Sequence, residues 1–150
     1  MTETLEILRP LREGKISDED TARIFDVAVI AKRCLGRHWP DHSPAQRAEF
    51  ARSLGGVLAR SLGETLEDAS EVRYVGQSAS GPLVTVNCEV AAKGRTPAGL
   101  ELRLQRLGGR WVIEDFAVNG TSFVSRYRAH LEDTLVNTPL VNTPLVNSPR

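Results

Sequence analysis

The sequence predicts an α+β domain in which N-terminal helices pack on a curved, four-stranded antiparallel sheet and one more helix closes the C-terminal end. Two observations predict it. Apolar residues recur at helical spacing as far as Gly63 and then change to strict alternation. The alternating runs follow one another across short polar turns, which is the pattern of a meander with one wet face. Helices, then a meander, then a returning helix describe a sheet wrapped around helices, not a parallel βαβ fold.

The elements follow in order. Residues 3–12 read as a short helix truncated by Pro10. Ser17 caps a second helix whose first turn carries Glu19 and Asp20 at its positive end. Ile24, Val27, Ala28, Ala31 and Leu35 form its inner stripe, and Gly36 ends it. Arg37 to His42 form a bend anchored by Trp39, with Pro40 barring continuation. Ser43-Pro44 starts the next helix, serine as cap and proline in the first turn. Phe50, Leu54, Val57, Leu58, Ser61 and Leu62 trace one face of it. Each glycine of Gly55-Gly56 costs about 1 kcal/mol against alanine in a helix, so the pair implies a kink or a close neighbour.

Beyond Gly63, Val72, Tyr74 and Gly76 mark a short strand, and Val84, Val86, Cys88 and Val90 a second. Leu100, Leu102 and Leu104 mark a third, and Trp111 to Val118 a fourth. Asn119-Gly120 is a tight turn into a helix opening at Thr121 or Ser122. That helix buries Phe123, Tyr127 and Leu131, flanked by Val124 and His130, and shows Arg126 and Arg128 to water. The domain is expected over residues 1–133. Residues 134–150 repeat Thr-Pro-Leu-Val-Asn and read as a low-complexity, disordered tail, because proline every five residues forbids a helix and removes sheet donors.

Composition excludes several function classes. The 150 residues carry 19 basic and 19 acidic side chains. That neutral, interspersed balance gives no footprint for nucleic acid and no polybasic membrane patch. The longest apolar run, Phe25 to Ala31, is too short to span a bilayer. Cys34 and Cys88 lack metal spacing and read as two buried free thiols. The N-terminus lacks the basic and apolar regions of a secretion signal.

Two segments carry a family resemblance. IFDVAVIAKRCLGRHW with SPAQRAEF, and GRWVIEDFAVNGTSFVSRYR, are similar to the signatures of MlaC-type periplasmic phospholipid-binding proteins over residues 3–133. The resemblance implies a cone related to the NTF2 fold, with an internal apolar cavity for acyl chains. It implies a soluble, monomeric, non-enzymatic carrier in the periplasm, its signal peptide already removed. Its partners would be an outer-membrane lipoprotein complex and an inner-membrane ABC transporter with MCE domains, in the upkeep of outer-membrane lipid asymmetry. The similar HpnM branch makes a hopanoid an alternative cargo.

The residues expected to line the cavity are Val29, Phe50, Leu54, Leu58, Tyr74, Val84, Val86, Val90, Leu102, Leu104, Ile113, Phe116, Phe123 and Tyr127. Burying acyl chain gains about 0.8 kcal/mol per CH₂, but a bilayer offers the same gain. A plain aliphatic wall without a head-group clamp therefore keeps loading and unloading balanced. No cofactor is expected. His38 and His42 suggest a metal pair, but Pro40 breaks the helix that would align them, and no metal site is expected. Ser122 and Ser125 lack a nucleophile elbow. Asn119-Gly120-Thr121 fits a glycosylation sequon, though turn chemistry explains it. Asp115 has two readings: an inward acid, or a carboxylate that pins the following turn, the second being favoured. The rival function is an NTF2 or ketosteroid-isomerase-like enzyme using Asp115 or Tyr74, and a third is an interaction module with an exposed apolar patch. For the enzyme the sequence supplies no base and oxyanion donor in one place, so no catalytic residue is expected.

Overall fold

A 3₁₀ turn at Glu6–Leu8 leads into α1 (Arg9–Glu13), then α2 (Asp18–Ile24), α3 (Val27–Leu35) and α4 (Pro44–Leu66). Strands β1 (Ala69–Ser80), β2 (Leu83–Ala92), β3 (Ala98–Leu107), β4 (Arg110–Val118) and β5 (Thr121–Ser122) precede α5 (Phe123–Asn137). This computed structural model describes residues 6–14 and 16–137. The Thr-Pro-Leu-Val-Asn repeat from Thr138 lies outside the described residues, while α5 runs to Asn137, past the boundary expected at residue 133.

Local chemistry explains most boundaries. Pro10 sits in the first turn of α1, where no backbone donor is needed, so it starts the helix and does not truncate it. Ser17 with Asp20, and Ser43 with Gln46, each form a reciprocal capping box. The single helix expected from Ser17 to Leu35 is two helices. Phe25 adopts extended angles (φ −115°, ψ 144°), and the Asp26 N–H donates to the Ile113 carbonyl at 3.0 Å. One residue of strand-like pairing to β4 thus outweighs helix continuity, and Asp26 restarts α3 by accepting from the Val29 N–H at 3.3 Å. The break changes the helical phase, so Ile30, Ala31, Cys34 and Leu35 are buried while Ala28 faces outward.

α4 runs unbroken through Gly55, Gly56 and Gly63, beyond the end expected near Gly63. The close-neighbour explanation holds at Gly55, where an added Cβ would meet Thr21 Cγ2 at 3.2 Å.

The sheet has five strands in the order β1-β2-β3-β4-β5, one more than expected, and it stays open. All pairings are antiparallel. The extra strand is the two residues after Asn119-Gly120, whose φ values of 50° and 89° suit the tight hairpin turn that returns the chain along β4. β1 starts earlier and ends later than expected, with register shifts between Ala69 and Glu71 and between Tyr74 and Gly76.

A second irregularity organises β4. Arg103 pairs with Asp115 and Leu104 with Ile113, so Glu114 is the extra residue of a bulge. Leu102 and Leu104 keep Phe116 and Ile113 opposite them on the core face. Every residue from Val112 to Ala117 is buried, which strict alternation does not allow.

Candidate functional site

Thirteen of the fourteen expected lining residues join one hydrophobic cluster. Phe50, Leu54 and Leu58 reach it from α4, Val86 and Val90 from β2, Leu102 and Leu104 from β3, Ile113 and Phe116 from β4, and Phe123 from α5. Tyr74, Val84 and Tyr127 pack against it, half-buried. Val29 does not join, because the restart at Asp26 gives that place to Ile30. Leu54, Leu58, Val86, Leu102, Leu104 and Ile113 are 0% exposed, so helix side chains fill the expected hollow against the sheet at these positions.

The two layers are joined unevenly. Their polar anchors gather on β4: Asp26 on Ile113, Arg33 Nη2 on Glu114 Oε1 at 3.1 Å, and the start of α5 on Asp115. The Asp115 carboxylate accepts from the Phe116 N–H (2.8 Å), the Val124 N–H (3.1 Å) and the Ser122 hydroxyl (2.6 Å), with Arg103 Nη1 at 3.4 Å. Both oxygens are used in pinning the turn and the helix start, as the favoured reading had it. Over β2 and β3, by contrast, α4 and the sheet share the non-directional apolar cluster, and one exposed bond, from Arg95 Nη2 in the β2–β3 turn to the Glu67 carbonyl at 3.0 Å, ties the end of α4 there.

A row of aromatic rings runs outward from that anchored edge. Phe116 lies 6.4 Å from Phe25 and 5.3 Å from Phe123, which stacks in turn on Tyr127 at 5.3 Å. Tyr127 is followed by His130 at 5.9 Å on the surface.

The titratable candidates do not converge. Tyr74 pairs with Cys88, and Cys88 with Leu100, on the core face. Asp115 pairs with Arg103, whose neighbours along β3 place it on the opposite face. Tyr74 donates its hydroxyl proton to Gln77 Oε1 at 3.2 Å. Both cysteines are free and buried, as expected. Burial pushes the Cys34 thiol up to about 12, the Asp115 carboxylate adding to the rise and Arg128 opposing it. Burial alone pushes Cys88 up to about 11.

At the 3₁₀ turn Gly36–Asp41, Trp39 packs half-buried on the core with the Arg47 guanidinium 4.6 Å over its ring. His38 is turned to α5, with Nε2 3.3 Å from Glu132 Oε1, and His42 Nδ1 lies 2.8 Å from the His38 carbonyl. The two imidazoles therefore serve separate contacts. Hydrogen bonds from Arg37 and His38 hold the Glu132 carboxyl below its usual range.

One feature at the edge of the cluster escaped sequence reading. An open, mainly apolar groove of about 360 Å³ lies between the start of β4 and helices α1 and α2. Trp111 forms part of its wall, with the Arg106 guanidinium 4.9 Å over the ring. The available signal was a tryptophan flanked by Arg106 and Arg110 across the Gly108-Gly109 turn.

Comparison with known proteins adds the family. The MlaC protein family profile matches residues 12–141. The chain belongs to the MlaC family. A solved structure of a phospholipid-binding protein from Ralstonia solanacearum, in complex with a phospholipid, is similar in fold, with a TM-score of 0.65. It is 19% identical, and the match covers 89% of this chain and 80% of that one. No curated protein sequence matches the chain. Among the described residues no helix is long and apolar enough to cross a membrane.

Proposed function

We propose that this MlaC-family chain is a non-enzymatic carrier that binds a phospholipid by its acyl chains between α4 and the aliphatic face of β2–β4. The reading is supported above all by one observation: a single hydrophobic cluster joins that face to α4, while the buried polar anchors between helices and sheet lie at β4. Acyl chains would separate α4 from β2 and β3, replacing one set of apolar contacts by another. Little free energy is lost in that exchange, because the side chains leave each other for hydrocarbon and not for water. The β4 anchors keep the two layers joined meanwhile.

The same balance suits a shuttle. Two acyl chains leaving water gain on the order of 20 kcal/mol, and a membrane offers the same, so the interior need only match the bilayer. The carrier would work in the periplasm, taking lipid between an outer-membrane complex and an inner-membrane transporter. The separation of Tyr74 from Asp115 speaks against the isomerase-like reading, since acid–base chemistry needs both groups within reach of one substrate.

Native mass spectrometry of the protein purified from a bacterial host tests the proposal. The expected result is a 1:1 adduct with phospholipid masses that persists through gel filtration. Protein that is always empty, and stays empty after incubation with phospholipid vesicles, would overturn it; a hopanoid mass would redirect the cargo.

A further inference from the structure

The groove at the start of β4 is where the apolar interior meets the surface. Ile7, Ile24 and Trp111 line it and also belong to, or pack against, the core cluster. Trp111 shares the core face with Ile113, which pairs with Leu104; the next core-face pair inward is Phe116 with Leu102. A continuous apolar path therefore leads from the groove to the aliphatic face.

The groove also has unspent polar groups. The Trp111 indole Nε1 is buried with no hydrogen-bond partner, and buried donors are rarely left so. Of the charged residues lining it, Glu6 is paired with Arg9. Asp20 accepts from the Ser17 N–H and pairs with Arg23. Arg110, exposed at the rim, has no ion pair among the described residues. The net offer is one orphan N–H and one uncommitted guanidinium beside apolar walls, which complements an amphiphile with an anionic oxygen head.

The geometry points to this groove as the mouth of the lipid site. The phosphodiester of a bound phospholipid lies against Arg110, one of its oxygens takes the Trp111 indole N–H as the chain parts the side chains that seal it, and an acyl chain runs inward past Ile24 to Leu104. Guanidinium suits that head because it gives charge-assisted, two-pronged hydrogen bonds to phosphate oxygens. The inference rests on the phospholipid reading above, adds the location and chemistry of the head-group end, and departs from the sequence expectation of a wall without a head-group clamp.

The test uses Trp111 as its own reporter. In a W39F variant Trp111 is the remaining tryptophan. The variant is loaded with phosphatidylglycerol bearing bromine on acyl carbons 6 and 7, a short-range quencher, and lipid uptake is measured by native mass spectrometry. Quenching of the emission, relative to unbrominated lipid, is expected where chain and ring are in contact. Should W39F fail to fold, subtracting the W111F spectrum from the wild-type spectrum gives the same quantity. Stoichiometric lipid with unquenched Trp111 would overturn the mouth while leaving the carrier reading intact, and absence of uptake would overturn both. R110Q is expected to weaken phosphatidylglycerol binding about tenfold and to leave neutral diacylglycerol unchanged. Equal losses for the two lipids would contradict the head-group role.

Discussion

β4 and β1 are built in opposite ways. β4 is buried from Val112 to Ala117, gripped by β3 on one side and by β5 and Phe25 on the other. Its bulge turns Glu114 and Asp115 into buried anchors for α3 and α5. β1 pairs on one side alone, alternates between half-buried and exposed, and carries Val75 64% exposed at its own irregularity. Its inner face is Val72 and Tyr74, and its outer face holds the Arg73–Glu89 ion pair. Both borders come from alternating sequence, yet one carries buried polar bonds to the helices and the other packs on the core through Ala69, Val72 and Tyr74. The proposed carrier function draws on both kinds of border.

The comparison breaks first at Asp115. D115A leaves two backbone N–H groups and the Ser122 hydroxyl without their acceptor, and a loss of about 3 kcal/mol in urea unfolding is expected. D115N, which keeps one acceptor oxygen, should fall between. A loss under about 1 kcal/mol would mean that the β4 border is not the anchor described.

The next largest effect is a pH dependence. The thiols of Cys34 and Cys88 are raised to about 12 and about 11, so they stay protonated when unfolded thiols ionise. Their contribution is fully present below the unfolded value near 9 and is lost as pH rises toward the folded values. By about pH 9.5 the two together should remove about 2 kcal/mol of stability. Stability measured from pH 7 to 10 should show this slope in the wild type and lose it in C34A/C88A; native protein at pH 8 should react slowly with a thiol reagent.

Smaller effects sharpen the contrast. E114Q keeps the shape but weakens the part-buried ion pair to Arg33, and about 1 kcal/mol is expected from the shift in urea midpoint. V75S, on the free border, should change stability by less than about 0.5 kcal/mol. Near-equal effects for these two would erase the distinction between the borders.

Much of this was legible in the sequence, for identifiable reasons. Ser17 and Ser43-Pro44 announced helix starts through capping chemistry that is local, and the aliphatic residues of β2 and β3 announced their core face by alternation. What escaped reading depends on partners distant in sequence. The break at Phe25 exists because Ile113 supplies a carbonyl to Asp26, and nothing near Phe25 signals it. The misplacement of Val29 follows from that break. The bulge at Glu114 is set by pairing with β3, so the part-buried Arg33–Glu114 pair had no local sign either. The burial of these residues was legible as a set, because hydrophobic burial follows periodicity, whereas the way α4 packs on them is a matter of tertiary structure. Trp111 was visible as a residue, but its orphan N–H exists only in the folded arrangement.

Acyl chains between α4 and β2–β4 are the central claim, and photolabelling measures their position directly. Phospholipid carrying a diazirine near the end of one acyl chain would be loaded, irradiated, and its adducts mapped by peptide mass spectrometry. The account predicts adducts on the core-facing residues Leu54, Leu58, Val86 and Leu102. Adducts confined to exposed positions such as Val75 and Leu107, with those four unlabelled in lipid-loaded protein, would contradict it.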